Sequence, residues 1–281
     1  MKISLGHDNW LSLDFANVAK STFDIDFSIK SPIQNLSFQQ AADYTANLIK
    51  EKYKNLHLCL SGGLDSEFVA KVLLRNNISF KPVILMTPLN TAEVWYAFKL
   101  CNTYKLDPII LDYRNLFVYD KLLKQIYNTS IKINSAPNVS LIPNVIAKII
   151  KGADILLGSG ESCKICKDYN EPLEEIFEFE KHDFHLDLEF PNRHPGSFFT
   201  YTPEIFLTFV KEIDITKNSQ EAKAELYGVL TRSKTDSIIY QAGCSDELKR
   251  MIISRVEKMS FTEIAVLLSR EEILKIFLKR S

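Results

Sequence analysis

Leu58-Cys59-Leu60-Ser61-Gly62-Gly63-Leu64-Asp65-Ser66-Glu67-Phe68-Val69 decides how the rest of the chain is read. Three apolar residues suggest a short buried strand, Ser-Gly-Gly a tight turn, and the residues from Leu64 onward an amphipathic helix. The first turn of such a helix leaves backbone N–H groups without intrahelical partners, and the helix dipole adds partial positive charge there. Two adjacent glycines let the backbone close around an anion. Ser61 and Ser66 add hydroxyls, and Asp65 is a candidate ligand for a cation that bridges phosphate oxygens. The stretch therefore reads as a phosphate-binding loop. It has neither the Gly-Lys-Ser/Thr ending of a Walker loop nor the three-glycine spacing of a dinucleotide fold.

Ser61-Gly62-Gly63-Leu64-Asp65-Ser66 resembles the SGGxDS signature of the PP-loop ATP pyrophosphatases, among them the asparagine, GMP and NAD synthetases and several tRNA-modifying enzymes. The resemblance implies ATP as cofactor, cleavage to AMP and pyrophosphate, and adenylation of a substrate oxygen. It also implies magnesium on Asp65 and adenine bordered by backbone groups near Leu85 and Met86.

Outward from this loop the chain alternates. Ser37 is a candidate N-cap for a helix with Phe38, Ala41, Ala42, Thr45, Leu48 and Ile49 on one face, delivering the chain into strand 56–60. Strand 81–86, helix 91–104, strand 108–111, helix 115–128, helix 137–151 with Pro143, and strand 154–158 follow. Such alternation predicts an α/β fold, a parallel sheet sandwiched by helices, with ligands beyond the carboxyl ends of the strands. Residues 1–37 show short alternating patches such as Phe23-Asp24-Ile25-Asp26-Phe27 and form a small β-rich extension. Residues 38–190 would be the ATP-binding domain, and 191–281 a helical region closing the acceptor side, with helices at 203–213, 221–230, 245–258 and 261–279.

A second stretch, Leu157-Gly158-Ser159-Gly160-Glu161, resembles the Ser-Gly-Glu loop of asparagine synthetases. The resemblance assigns Gly158, Ser159 and Gly160 to nucleotide binding. It assigns Glu161 to orienting the substrate or accepting a proton from the nitrogen nucleophile. Lys164 falls where that family has a magnesium-binding aspartate. A lysine contacts phosphate as a point charge and cannot ligate magnesium, so a second metal ligand would come from Asp168 or Glu161, or the site is altered, or the chain is a non-catalytic relic. Arg232-Ser233-Lys234 is similar to the Arg-x-Lys segment of asparagine and β-lactam synthetases, which implies Lys234, supported by Arg232, at the α-phosphate.

Cys163-Lys164-Ile165-Cys166 reads first as a chance spacing, with a redox pair, half a metal site or a sulfur relay as alternatives. His182, Asp183, His185, Asp187 and His194 read as a solvated connecting segment, with Phe184 to Leu188 strand-like, rather than as a metal site.

Composition sets the remaining bounds. The chain has 281 residues, 46% hydrophobic and 25% charged, which is ordinary for a globular protein. A net charge of −1 gives no basic excess of the kind that announces nucleic-acid binding, leaving only a local patch open. No apolar run spans a membrane, Met1-Lys2-Ile3-Ser4 opens no signal peptide, and five unpatterned cysteines fit a reducing cytoplasm. About 37 residues ahead of Phe38 cannot hold a glutaminase domain, so nitrogen would come as free ammonia, from a separate glutaminase, or as an amine. The expected function is an asparagine synthetase-like ligase that adenylates a small-molecule carboxylate. Modification or thiolation of a nucleobase or tRNA carbonyl is the alternative.

Overall fold

A computed structural model describes residues 2–14, 23–88, 90–133, 135, 139–159, 164–166, 176–180, 184–217, 219–230 and 265–278. Its centre is a parallel sheet built from β4 (Leu56–Cys59), β5 (Lys81–Met86), β6 (Ile109–Asp112), β7 (Asp154–Leu157) and β10 (Gly196–Ser197). Their spatial order is β10-β7-β4-β5-β6, with Cys59 opposite Val83 on one side and Leu157 on the other.

Alternate residues of these strands face opposite cores. Leu58, Ile84 and Leu156 belong to one core; Val83, Leu85, Ile155 and Leu157 belong to the other. The first is covered by α1 (Phe38–Lys52), α2 (Leu64–Arg75), α3 (Thr91–Tyr104) and α7 (Pro203–Glu212), the second by α4 (Leu116–Lys132) and α5 (Ile142–Ile149). A parallel sheet buried on both faces needs near-continuous apolar strands, and Pro82-Val83-Ile84-Leu85-Met86 supplies one. α1 begins with a reciprocal cap: Ser37 Oγ accepts from Gln40 N, and Gln40 Oε1 accepts from Ser37 N. Such a cap contributes about 1 kcal/mol.

Chain order against strand order places the crevice. From β4 the chain steps through α2 and α3 to β5 and β6, then crosses to the other face through α4 and α5 and returns to β7, beside β4. The direction of winding reverses between β4 and β7. Open α/β sheets bind ligands beyond the carboxyl ends of the strands at such a reversal.

Two antiparallel sheets flank this unit. β1 (Lys2–Leu5), β2 (Leu11–Asp14) and β3 (Asp24–Phe27) form one. β8 (Lys164–Cys166), β9 (Ile176–Glu180) and β11 (Ala265–Ser269) form the other, in the order β11-β9-β8. The first continues the main core: Trp10 stacks on Phe27 at 5.9 Å, meets Phe206 at 5.5 Å and Phe277 at 6.2 Å, and donates Nε1–H to Thr200 O. The remaining helices are α6 (His185–Glu189), α8 (Ser219–Tyr227) and α9 (Arg270–Leu278).

Three local expectations are corrected. His185–Glu189 is helical rather than strand-like: Phe184 and Leu188, four apart, pack into one core while Leu186 packs into the other. Residues 261–279 do not form one helix: β11 pairs with β9 in the register Val266 to Phe179, and α9 starts only at Arg270. Lys164, Ile165 and Cys166 lie in a strand rather than a loop. The expected helix at 245–258 lies outside the described residues.

Candidate active site

The turn after β4 is fixed by its own atoms. Leu60 N–H donates to Val83 O at 2.9 Å, carrying the strand one residue further. Gly62 then takes φ +93°, and a Cβ there would lie 1.9 Å from the carbonyl oxygen of Glu93 in α3. Only glycine fits this position. Gly63 is the N-cap of α2, and its N–H donates to Ser61 Oγ at 3.2 Å. Ser61 Oγ and Ser66 Oγ are hydrogen-bonded at 3.1 Å, and Ser66 Oγ also donates to Gly63 O at 3.1 Å. The two serines expected to meet phosphate therefore also shape the loop. At Gly63, by contrast, a Cβ would meet nothing closer than Ser61 Oγ at 3.4 Å, so internal packing does not require glycine there.

The turn after β7 closes on the same place. A Cβ on Gly158 would lie 2.5 Å from Ser66 Cα, so the strand end presses directly on the first turn of α2. Ser159 O accepts from Ser197 Oγ at 3.1 Å, which ties in the outer strand β10. Two stretches distant in sequence thus meet at the winding reversal, Ser61–Ser66 from one strand end and Gly158-Ser159 from the next. Gly160, Glu161, Arg232 and Lys234 lie outside the described residues, and of Lys164 only the backbone is described.

Asp65, read from sequence as the magnesium ligand, has two partners in α8. Its Oδ2 accepts from Lys223 Nζ at 3.0 Å and its Oδ1 from Tyr227 Oη at 2.6 Å. Lys223 and Tyr227 are four residues apart on a helix and so share a face. That spacing is the one local trace of the pair in the sequence, and it does not point to Asp65. Tyr227 is held in turn by a stack of rings, 4.5 Å from Phe68, 5.8 Å from Phe38 and 5.6 Å from Phe199. Among the described residues no three His, Cys, Asp or Glu side chains gather to hold a metal. Each Asp65 oxygen already accepts one hydrogen bond, from a lysine or a phenol, so a cation there would use the remaining lone pairs beside the Lys223 ammonium.

The region assigned to adenine is already hydrogen-bonded within the chain. Leu85 O accepts from Asn90 Nδ2 at 2.8 Å and Met86 O from Tyr113 N at 2.7 Å. Asn90 Oδ1 also accepts from Thr87 N, closing the turn after β5. Further ligand contact there would use the second lone pair of each carbonyl.

The segment expected to be solvated is partly core. His185 is buried between Ser140 Oγ at 2.8 Å from Nδ1 and Ser135 Oγ at Nε2. Asn144 Nδ2 donates to His185 O and to Glu189 Oε2, while Lys132 and Lys148 pair with Glu189 Oε1 at 3.0 and 2.9 Å. These bonds fasten α6 to α4 and α5. Burial pushes the Cys59 thiol up to about 12 and the Cys101 thiol to about 11, so neither is a thiolate near neutrality.

The sequence matches no family model and no curated protein. Among solved structures, the NH3-dependent NAD synthetase from Campylobacter jejuni is similar at 15% identity over 79% of this chain and 95% of its own, with TM-score 0.35. The NMN synthetase from Francisella tularensis is similar at 14% identity over 81% and 99%, with TM-score 0.35. The glutamine-dependent NAD+ synthetase from Acinetobacter baumannii is similar at 10% identity, over 96% of this chain but 48% of its own, with TM-score 0.36. No helix among the described residues is long and apolar enough to cross a membrane.

Proposed function

We propose that this chain is an ATP-dependent, AMP- and pyrophosphate-forming ligase. It adenylates a small-molecule carboxylate and delivers it to ammonia or an amine, in the manner of an asparagine synthetase. One observation carries the reading: the Ser61–Ser66 turn and the Gly158 strand end converge on the first turn of α2, at the point where the sheet's winding reverses. The bare Gly63 Cα, which internal packing does not require, suits close approach by a phosphate.

In this reading pyrophosphate lies at the N-terminus of α2. The substrate carboxylate attacks the α-phosphorus and pyrophosphate leaves. Nitrogen then attacks the acyl carbon, AMP leaves, and the proton lost by nitrogen passes to Glu161. Lys234, with Arg232, is assigned the charge at the α-phosphate. The described thiols, Cys59 and Cys101, are kept protonated by burial and lend no support to sulfur transfer.

The test is pyrophosphate and AMP release from ATP and magnesium against a panel of carboxylic acids with ammonia or amines, with Asp65→Ala as blank. Acceptor-dependent release of both products is expected. Release of phosphate with ADP would overturn the reading.

A further inference from the structure

Resting on the nucleotide reading above, we propose that the fixed positive charge at this phosphate loop is the ammonium of Lys223, held in place by Asp65 and Tyr227. Asp65 then serves as the lysine's anchor, where the sequence suggested a metal ligand.

Three observations lead here. Both Asp65 oxygens have partners from α8, at 3.0 Å from Lys223 Nζ and 2.6 Å from Tyr227 Oη. The pair is mostly shielded, with side-chain exposures of 17% for Lys223 and 21% for Asp65. A pair so shielded is screened less by salt than a surface pair, and the ammonium has N–H donors left for a second acceptor. Finally, the arrangement is rigid: Tyr227 is stacked between Phe68 of α2, Phe38 of α1 and Phe199, so α8 cannot shift along α2 without breaking that stack. A lysine held this way is preorganised. Its charge stands at the first turn of α2 before any anion arrives, so little rearrangement accompanies binding.

The alternative is that the Lys223–Asp65 pair only docks α8, and that a divalent cation displaces the lysine when nucleotide binds. The two make different predictions for binding without metal. Calorimetric titration of the full chain with inorganic pyrophosphate and with ATP, in EDTA and in magnesium, separates them. The proposal expects measurable binding in EDTA, weakened about tenfold or more by Lys223→Gln and largely restored by Lys223→Arg. It also expects Asp65→Asn to weaken binding by a similar factor with and without magnesium, since an unanchored lysine is lost in either buffer. Circular dichroism melts of each variant identify any that fail to fold; for those, Tyr227→Phe, which keeps the ring stack and removes one anchor, is expected to weaken binding in EDTA several-fold. Unchanged binding by Lys223→Gln in EDTA would overturn the proposal. So would binding by the native protein that appears only with magnesium, which would leave the nucleotide reading intact. No binding in either buffer overturns both.

Discussion

Gly62→Ala tests the geometry of the loop most directly. At φ +93° an alanine pays for a backbone conformation that L-residues rarely adopt, roughly 1–3 kcal/mol. Its Cβ would also lie 1.9 Å from Glu93 O, and to regain an ordinary 3.4 Å contact the first turn of α3 or the loop must retreat by 3.4 − 1.9 = 1.5 Å. Overpacking of this kind costs about 1–3 kcal/mol more. The sum is about 2–6 kcal/mol, or roughly 4–12 °C in Tm at about 2 °C per kcal/mol for a chain of this size. Gly152→Ala is the control: its φ is +80°, but a Cβ there meets nothing within 4 Å, so only strain of about 1–2 kcal/mol applies. Thermal and urea unfolding of both variants, with pyrophosphate titration of each, gives the comparison. Gly62→Ala should be the less stable of the two and should lose pyrophosphate affinity, whereas Gly152→Ala should keep it. Equal destabilisation of the two, within about 0.5 kcal/mol, would refute the claim that α3 closes over the loop.

Three further outcomes can be checked independently of any ligand. Burial raises the Asp187 carboxyl from 3.8 to about 7, so between those values the folded chain binds more protons than the unfolded one and stability falls as pH rises. Asp187→Asn should remove that decline in urea midpoints measured from pH 4 to 8; matching profiles would contradict it. Glu189 has the opposite sign: burial pushes its carboxyl up, but hydrogen bonds from Lys148, Asn144 and Lys132 outweigh burial and leave it below 4.5. Its contribution is complete above pH 4.5 and is lost as pH falls through the folded value, so Glu189→Gln should flatten the acid limb of the same titration. Cys101, buried, and Cys59, partly buried, both with raised thiols, should react slowly with iodoacetamide at pH 8 in the native protein and faster on unfolding, as peptide mass spectrometry would record.

What sequence conveyed and what it concealed follow from how far apart the interacting residues lie. β4, its turn and α2 were legible because strand, glycines and apolar helical face are contiguous. Lys81–Met86 was legible because an apolar strand buried on both faces carries its own signature. Ser37 announced α1 as an N-cap directly ahead of an apolar helical face, and the cap it makes spans only three residues. The anchoring of Asp65 was not legible in this way, since Lys223 and Tyr227 lie 158 and 162 residues further on. β10, two residues long, has no pattern to read; it exists because Gly196 and Ser197 fall beside Leu156 and Leu157. The strand at Ile176–Glu180 alternates, with Phe177 and Phe179 buried, but its alternate residues are acidic and the stretch is too short to stand out among its acidic neighbours. His185 misled for a similar reason: a histidine amid acids looks exposed until two serines from another part of the chain enclose it.

The packing around Trp10 sets an order of events during synthesis. Its ring is covered by Phe27, Phe206 and Phe277, and its indole N–H is satisfied by Thr200 O. Everything in that shell except Phe27 is made at least 190 residues later. The surroundings of Trp10 therefore stay incomplete until first α7 and then α9 are made. A nascent chain in that condition is open to wrong associations for as long as the shell is missing. In a Trp95→Phe background, Trp10 fluorescence would mark the end of that interval, shifting when α9 settles beside β2.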